Sequence, residues 1–365
     1  DFDSPPLLFQ MGVPAQDAFP FSLWSRLMAR HARAAAAAPV CYPDPRGESA
    51  LRDAICAYLA IARGVSCKPA QVLVTAGFTG ALSLALRALP LRNATVWAED
   101  PGFPLTRDAL TIAGLAINAI PVDCEGLDVC EGVAQAPDAA LAIVTPGQQA
   151  PLGMTMSLAR RHALLRWARD AGAWIIEDDY LGELQLNGRA APALASLDRE
   201  GRVIYAGTFS KTISPSLRLG FLVVPPLLTA RFAEAAATLA PAPAPATQRA
   251  VAAFIAEGHF LRHLRRMKRL YRVRRDALTN YLGGASGGAF DVAAGGLGVC
   301  LTLPPGADDR EIAARALAAG FAPTPLSPWH AHTAGRQGLL LGATNLSEPR
   351  LAEDCARFLK IVTGQ

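Results

Sequence analysis

One lysine in this chain stands among residues that could form a reactive site. The chain has only four lysines, and Lys211 lies in the segment Thr-Phe-Ser-Lys-Thr at 208–212. In a buried pocket the charged form of a lysine is disfavoured, so its amine can attack an aldehyde. The hydroxyls of Thr208 and Ser210 and the guanidinium of Arg218 are suited to binding a phosphate dianion. Taken alone, the segment is equally compatible with a surface turn and a solvated lysine.

A second group of candidate residues follows the apolar run Trp-Ile-Ile at 174–176. The carboxylate of Asp178 could keep a pyridine nitrogen protonated through a charge-assisted hydrogen bond, which makes such a ring an electron sink. Tyr180 could bond a phenolic oxygen on the same ring. Glu177 and Asp179 compete for the role of the acid, although the spacing to the tyrosine favours Asp178. The structural alternative is a helix start or a solvated loop.

Three further segments also follow apolar runs. A glycine-rich turn opens a helix, and free backbone amides around Gly77, Phe78 and Thr79 would form a phosphate site. Phe103 is a rigid aromatic residue at a proline turn, where a flat ring could stack on it. The loop 145–153 is polar and flanked by prolines. An ordinary turn, a core phenylalanine and a surface loop explain each one in isolation, so the argument depends on their occurring together.

Apolar runs and helical patterns alternate between residues 48 and 238. Strands that are apolar at nearly every position are typical of a mainly parallel sheet covered by helices on both faces, an α/β fold. Ligands of such sheets bind at the carboxyl ends of the strands, where the candidate segments lie. Seven short runs are predicted to be strands: 72–75, 95–98, 117–122, 141–145, 174–177, 203–206 and 221–224.

The pattern of the chain changes after Pro225. The proline-rich segment 239–247 predicts a linker or kink, and a helical pattern follows over 248–282. The rest, including an apolar strand at 338–342, predicts a smaller α+β domain. We expect three parts: an N-terminal arm with part of the small domain at 1–47, a large domain at 48–238, and an interdomain helix with the small domain at 239–365.

Composition excludes several classes of protein. Of the 365 residues, 51% are hydrophobic, yet no apolar run is long enough to span a bilayer and no leader pattern is visible, so we expect a cytoplasmic protein without a membrane partner. The seven cysteines and six histidines lack metal-ligand spacing, so no metal is predicted. The arginine-rich run 262–275 also carries an apolar stripe, which favours a solvated amphipathic helix over a DNA-binding one.

Together these segments resemble the fold-type-I pyridoxal-phosphate enzymes of the aspartate aminotransferase superfamily. More narrowly, the chain resembles the aminotransferase-like domain of the MocR subgroup of GntR-type bacterial transcription regulators. The resemblance covers nearly the whole chain and implies a large domain with a mostly parallel seven-stranded sheet plus a smaller α+β domain. It is carried by Tyr-Pro-Asp-Pro-Arg-Gly at 42–47, Asp-Pro-Gly-Phe at 100–103, Pro-x-x-x-x-Pro-x-Gly at 146–153, Trp-Ile-Ile-Glu-Asp-Asp-Tyr at 174–180 and Gly-Thr-Phe-Ser-Lys-Thr at 207–212.

The resemblance implies a role for each candidate residue. Lys211 would hold pyridoxal 5'-phosphate as a Schiff base, the internal aldimine, and would move protons. Asp178 would pair with the pyridine nitrogen, Tyr180 with the ring oxygen, and Phe103 would stack on the ring. Tyr42 would reach the phosphate of a neighbouring subunit, which implies a homodimer with two shared sites. The remaining phosphate contacts would come from Gly77, Phe78, Thr79, Thr208, Ser210 and Arg218.

The chain departs from the family pattern on the ligand side. Gly-Gln-Gln at 147–149 replaces the usual Ser-His-Gln, and Ala150 stands where ordinary aminotransferases place an asparagine. The strand 338–342 lacks the arginine that clamps the substrate's α-carboxylate. Loss of that clamp would weaken an amino-acid ligand by about 1.5–3 kcal/mol per charged hydrogen bond, unless Arg336 or another arginine replaces it. The sequence therefore predicts an intact cofactor site and an altered ligand site.

Three functions are compatible with this pattern. The first is the effector-sensing domain of a MocR-type regulator, which binds a small amine or amino acid and reaches DNA only through a domain upstream of Asp1. The second is a stand-alone class I/II aminotransferase that moves an amino group between an amino acid and a 2-oxo acid. The third is a cofactor-free scaffold, which the retained lysine, aspartate, tyrosine and arginine disfavour. We favour the first, and transaminase activity stays open under it.

Overall fold

The computed structural model describes residues 5–37, 41–186, 191–285, 290–331 and 336–364. None of the helices in these ranges combines the length and the apolar character that a membrane span requires. The α-helices are α1 Phe21–Ala36, α2 Ser49–Ala62, α3 Gly77–Ala88, α4 Pro104–Ile112, α5 Val129–Gln135, α6 Leu158–Asp170, α7 Thr229–Leu239, α8 Pro245–Ala256, α9 His259–Ala285, α10 Asp309–Ala318 and α11 Leu351–Thr363.

Two sheets organise the chain. The strands are β1 Val72–Thr75, β2 Thr95–Asp100, β3 Ala116–Asp123, β4 Gly126–Leu127, β5 Leu141–Val144, β6 Trp174–Asp179, β7 Val203–Thr208, β8 Gly220–Val223, β9 Asp291–Gly295, β10 Gly298–Thr302, β11 Thr324–Pro325 and β12 Gly338–Gly342. The first eight form one sheet in the order β1-β8-β7-β6-β5-β2-β3-β4, and the last four form another in the order β11-β12-β10-β9.

The large sheet is mainly parallel, as the apolar strands predict. Strands β7, β6, β5, β2 and β3 pair in parallel, whereas β8 runs antiparallel to both β1 and β7. All seven predicted strands are present. The sheet has an eighth strand, β4, because residues 126–127 turn back on β3. Two residues are too few to show any alternation of hydrophobicity, so the sequence does not predict this strand.

Both faces of the large sheet are buried, and neighbouring residues on one strand belong to different cores. Ile176 packs with residues of α3 and α7, whereas Ile175 packs on the other face with residues of α6. This separation follows from the pleat, since successive side chains of a strand point to opposite faces. The same alternation decides where the acids at the end of β6 point.

The small sheet is antiparallel and shares its core with α9, α10, α11 and the N-terminal arm. The ring of Phe9 lies 4.9 Å from that of Phe358 and 5.6 Å from that of Phe321, measured between centroids. The carbonyl of Phe9 also accepts a hydrogen bond of 2.8 Å from the amide of Gly342. The arm is therefore attached to the small sheet, and the residues that follow Phe9 lead into the cleft between the two sheets.

The prediction of one helical stretch over 248–282 is wrong in detail. Two helices occupy it, because α8 ends before Gly258, which has a φ of +75°. A left-handed backbone at a glycine is a common way for a helix to end. The predicted kink lies at 240–244, and α8 begins at Pro245, earlier than expected. Proline is tolerated there because the first turn of a helix needs no amide donor.

Candidate functional site

The amine of Lys211 lies in the cleft at the carboxyl end of β7. The side chain is partly buried, and its Nζ donates a hydrogen bond of 3.1 Å to the carbonyl of Gly12 in the N-terminal arm. Burial lowers the pKa of Lys211 from its ordinary value, and the charge of Asp178 opposes that shift. A lysine with a lowered pKa is more often neutral, which is the form that attacks an aldehyde.

Gly12 is a part of this site that the sequence does not predict. Its φ is +80°, a backbone conformation that side chains rarely adopt, and a Cβ added there would collide with Lys211 Nζ. The positive φ favours glycine, and a side chain at this position would displace the lysine amine. The contact joins residues 199 positions apart, so no local pattern reveals it.

Two of the three acids at the end of β6 are bonded to structural partners. Glu177 accepts hydrogen bonds of 2.7 and 2.8 Å from the backbone amides of residues 194 and 195. Asp179 forms an ion pair of 2.7 Å with Arg63, and both side chains are only 1% exposed. It also accepts a hydrogen bond of 2.7 Å from the hydroxyl of Tyr205. These acids hold the fold around β6 together.

Asp178 faces the other side of the strand and differs from its two neighbours. It is buried, and its Oδ1 has no hydrogen-bond partner among the described residues. Burial raises the pKa of this carboxyl well above its usual range, the charges of Asp179 and Glu99 raise it further, and Lys211 opposes them. Buried polar atoms are nearly always paired, so an open acceptor here suits the N–H group of a bound molecule.

Tyr180 follows Asp178 and packs against the hydrophobic core beneath the cleft. Burial raises the pKa of its hydroxyl, and the neighbouring charges of Asp178 and Glu99 raise it further. The phenol therefore keeps its proton at neutral pH and can donate it in a hydrogen bond.

The start of α3 and Arg218 form a group of donors at one end of the cleft. Helix α3 begins at Gly77, and no side chain caps its N-terminus. Arg218 donates a hydrogen bond of 2.8 Å to the hydroxyl of Thr79, which lies in the first turn. Arg218 has a φ of 47°, and a non-glycine residue in this left-handed region is uncommon. A helix N-terminus beside a guanidinium is suited to an anion.

The end of β7 adjoins the same helix start. Thr208 pairs with Gly220 on β8, and Gly220 in turn lies against the backbone of Gly77. The hydroxyls of Thr208 and Ser210 are 3.1 Å apart, and the Thr208 hydroxyl accepts a hydrogen bond from the Ser210 amide. The structure thus brings the predicted phosphate residues of β7, α3 and Arg218 to one place.

Phe103 lies between this donor group and the small sheet. Its ring centroid is 6.4 Å from that of Phe78 in α3 and 5.6 Å from that of Trp329. The backbone just before the ring is also tied to the small domain, since the amide of Gly102 donates to the Trp329 carbonyl at 2.9 Å. Phe103 is partly buried and lies in contact with both α3 and the small domain.

Glu99 is a second residue whose importance the sequence does not show. It is buried at the end of β2, and its carboxylate accepts hydrogen bonds from the amide and the hydroxyl of Thr145 and from the Gln149 side chain. Burial nevertheless raises the pKa of Glu99 to about 7. Glu99 also acts on Asp178, whose pKa it raises. The sequence shows that Glu99 directly precedes Asp-Pro-Gly-Phe, but it does not show that the side chain is buried.

Two predicted features lie apart from this cluster. The side chain of Tyr42 is fully exposed, so its contact with a second subunit stays a prediction. Strand β12 carries buried leucines where an arginine clamp would stand, and Arg336 is exposed. Among the residues that the structure describes, no group of three or more His, Cys, Asp or Glu could hold a metal ion.

Comparison with known families explains why these residues converge. The family described as aminotransferase class I and II matches residues 24–336 of the chain. The chain belongs to the aminotransferase class I and II family. The alpha-aminoadipate aminotransferase LysN of Thermus thermophilus, solved with N-(5'-phosphopyridoxyl)-L-leucine, superposes with a TM-score of 0.87. It is 28% identical, and the match covers 98% of this aminotransferase-family chain and 92% of the other.

Two curated relatives of this aminotransferase-family chain are regulators. The probable rhizopine catabolism regulatory protein MocR of Rhizobium meliloti is 36% identical, over 95% of this chain and 70% of that protein. The HTH-type pyridoxine biosynthesis transcriptional regulator PdxR of Corynebacterium glutamicum is 32% identical. The match covers 95% of this chain and 74% of that protein. The predicted aminotransferase fold and the relationship to MocR-type regulators are confirmed.

Proposed function

We propose that the chain binds pyridoxal 5'-phosphate and bonds covalently to it through Lys211. The observation that carries this proposal is the pair formed by a partly buried lysine of lowered pKa and the buried, unpartnered Oδ1 of Asp178. The cofactor has an aldehyde for the first and a pyridinium N–H for the second. When bound, it supplies an electron sink for reactions at an amine-bearing carbon.

Each side chain of the cleft has a separate task in this proposal. Asp178 accepts the ring N–H and keeps that nitrogen charged, while Tyr180 donates a hydrogen bond to the ring oxygen. Phe103 stacks on the ring and excludes water from one face. Lys211 holds and transfers protons at its Nζ. The phosphate is held by amides and side chains of Gly77, Phe78, Thr79, Thr208, Ser210 and Arg218.

The proposed biological role is that of the effector-sensing part of a MocR/GntR-type transcription regulator. The names of the two curated relatives support it, and both are longer than this chain. In this role the chain works in the cytoplasm as a homodimer in which Tyr42 completes the partner's phosphate site. It takes a small amine or amino acid, and DNA binds a domain outside this chain. The proposed division into an arm at 1–47, a large domain at 48–238 and a small domain at 239–365 belongs to the same proposal.

The experiment that tests the cofactor assignment is an absorbance spectrum of the purified chain with added pyridoxal phosphate. The native chain should show a band of the bound cofactor that Lys211→Ala lacks. Lys360→Ala, which removes an exposed lysine on α11, serves as the matched control and should keep the band. Identical spectra from the native chain and Lys211→Ala would overturn the assignment.

A stand-alone aminotransferase is the second candidate, supported by the close superposition on LysN over nearly the whole chain. Two observations separate the candidates. Gene sequence upstream of Asp1 should encode about a hundred residues with a basic helix-turn-helix pattern if the chain is part of a regulator. Rapid loss of the absorbance band with an amino acid, reversed by a 2-oxo acid, would instead favour the enzyme.

A further inference from the structure

A small apolar cluster lies next to the cleft, where Met11 precedes Gly12 and Trp329 packs on Phe103. It consists of three buried side chains with three partly buried ones packed on them, and we name it the apolar wall. The wall joins the small sheet to the N-terminal arm and to the loop after β5. Its members are Met11, Leu152, Cys300, Leu326, Trp329 and Leu340.

Two observations place the apolar wall next to residues of the cleft. Met11 is the residue before Gly12, whose carbonyl meets Lys211 Nζ. Trp329 packs on Phe103, with ring centroids 5.6 Å apart. A molecule joined to the cofactor near Lys211 would therefore extend its substituents towards these side chains.

The direction in which the leucines of β12 point limits which groups a ligand can place against this strand. Leu340 belongs to the apolar wall, whereas Leu339 and Leu341 point into the core of the small sheet. Leu340, the side chain of β12 that faces away from that core, is thus uncharged and only 2% exposed. A carboxylate pressed against these six side chains would lose its hydration without gaining a partner among them.

The described arginines around the cleft are engaged elsewhere or exposed. Arg107 donates to the carbonyls of Gly102, Trp329 and other residues of the loop after β11. Arg218 is bonded to Thr79 at the phosphate end. Arg336 is exposed, and its charge acts on the pKa values of Cys300 and His330. An ion pair between an exposed arginine and a ligand is worth little because water and salt screen it.

Two buried polar atoms near the apolar wall have no hydrogen-bond partner among the described residues: Oε1 of Gln148 and Nε2 of His330, the residue after Trp329. Gln148 is 8% exposed. Its amide lies beneath the turn between β9 and β10, since a Cβ added at Gly296 would be 3.3 Å from Gln148 Nε2. Gln148 and Leu152 share the loop after β5. A buried carbonyl oxygen of this kind accepts a hydrogen bond from a hydroxyl or N–H group.

We propose that the ligand of this chain is a primary amine that carries a hydroxyl group and no carboxylate. The apolar wall excludes the carboxylate, and Gln148 accepts the hydroxyl. This inference rests on the proposed function, since the amine is taken to react at the cofactor held by Lys211. It concerns only how the chain recognises the rest of the ligand.

Matched pairs of probes test the proposal by calorimetry on the cofactor-loaded protein. Ethanolamine is compared with L-serine, and tyramine with L-tyrosine, because the members of each pair differ by one carboxylate. Each amine should bind at least tenfold more tightly than its amino acid. Equal or tighter binding of the amino acids, or no binding of either amine, would overturn the proposal.

Two variants locate the preference. Ethanolamine should exceed ethylamine in affinity, and Gln148→Met should remove that difference while the preference over L-serine remains. Arg336→Ala is the control for a hidden clamp and should leave both preferences unchanged; a weaker affinity for L-serine in this variant would contradict the inference.

Lys211→Ala separates the two proposals. If there is no absorbance band that depends on Lys211, the cofactor assignment is wrong. If the band is present but amino acids bind more tightly than amines, only the inference about the ligand is wrong.

Discussion

The two sides of strand β6 differ in how their acids are satisfied. On one side Glu177 and Asp179 are buried among backbone amides, Arg63 and Tyr205, which use their oxygens as hydrogen-bond acceptors. On the other side Asp178 is equally buried but keeps Oδ1 open towards the cleft that holds Lys211. Neighbouring acids on the same strand therefore differ: Glu177 and Asp179 stabilise the fold, whereas Asp178 is available to a ligand.

This comparison shows why residue type alone does not define the site. All three acids follow the same apolar run, and burial raises the pKa of both Glu177 and Asp178. What separates them is the pleat, which sends alternate side chains to opposite faces. Because Asp178 alone of the three has a buried oxygen without a hydrogen-bond partner among the described residues, stability and cofactor binding should respond to different substitutions.

The largest expected effect is the loss of stability when the ion pair of Asp179 with Arg63 is broken. Arg63→Ala leaves the charge of Asp179 buried without its cation, so the free energy of unfolding should fall by about 3–5 kcal/mol. Urea unfolding followed by circular dichroism measures this change. Arg336→Ala, at an exposed position, should change it by less than about 0.5 kcal/mol. A loss below 1 kcal/mol for Arg63→Ala would show that the ion pair does not support the fold.

Substitution of Asp178, on the other side of β6, should affect cofactor binding and not reduce the stability of the apo protein. Asp178→Asn removes a buried carboxyl that no described residue pairs at Oδ1, so the free energy of unfolding without cofactor should stay equal or rise. The dissociation constant of pyridoxal phosphate should increase roughly tenfold to a hundredfold, as expected when a charged hydrogen bond is lost. Asp179→Asn, the matched neighbour, should instead destabilise the apo protein. If both variants behave alike, the distinction between the two sides of β6 is wrong.

The smallest expected effect concerns pH and the buried Glu99 beside Asp178. Its pKa is about 7 in the folded chain and about 4.5 in a free side chain. Between these values the folded chain binds more protons than the unfolded chain, so stability falls as the pH rises from about 4.5 to 7. Glu99→Gln should reduce this fall by about 1–3 kcal/mol, measured by urea unfolding at pH 5 and pH 8. The exposed Glu353→Gln should leave the pH dependence unchanged.

Much of the fold is predictable because its strands are continuous apolar runs. The seven strands, the mainly parallel sheet and the positions of the candidate loops follow from periodicity and from turns rich in glycine and proline. Strand β4 and the break at Gly258 do not, since two residues carry no period and a single glycine within a helical pattern is often tolerated. Local patterns therefore predict long elements and miss short interruptions.

The site is predictable only where its residues lie in recognisable segments. Lys211 and Asp178 follow strands and stand out by residue type. Gly12 does not, because its contact with Lys211 Nζ spans 199 positions and depends on how the arm crosses the cleft. The apolar wall is likewise assembled from four separate parts of the chain. The departure at β12 shows that an arginine is missing but not which surface replaces it.

The measurement that tests the central claim most directly is chemical fixation of the cofactor. The chain is mixed with pyridoxal phosphate, reduced with borohydride, digested and analysed by mass spectrometry, so that the added phosphopyridoxyl mass is assigned to one of the four lysines. We expect the mass on the peptide that contains Lys211 and nowhere else at equimolar cofactor. Equal labelling of Lys68, Lys268 and Lys360, or no labelling of Lys211, would contradict the account.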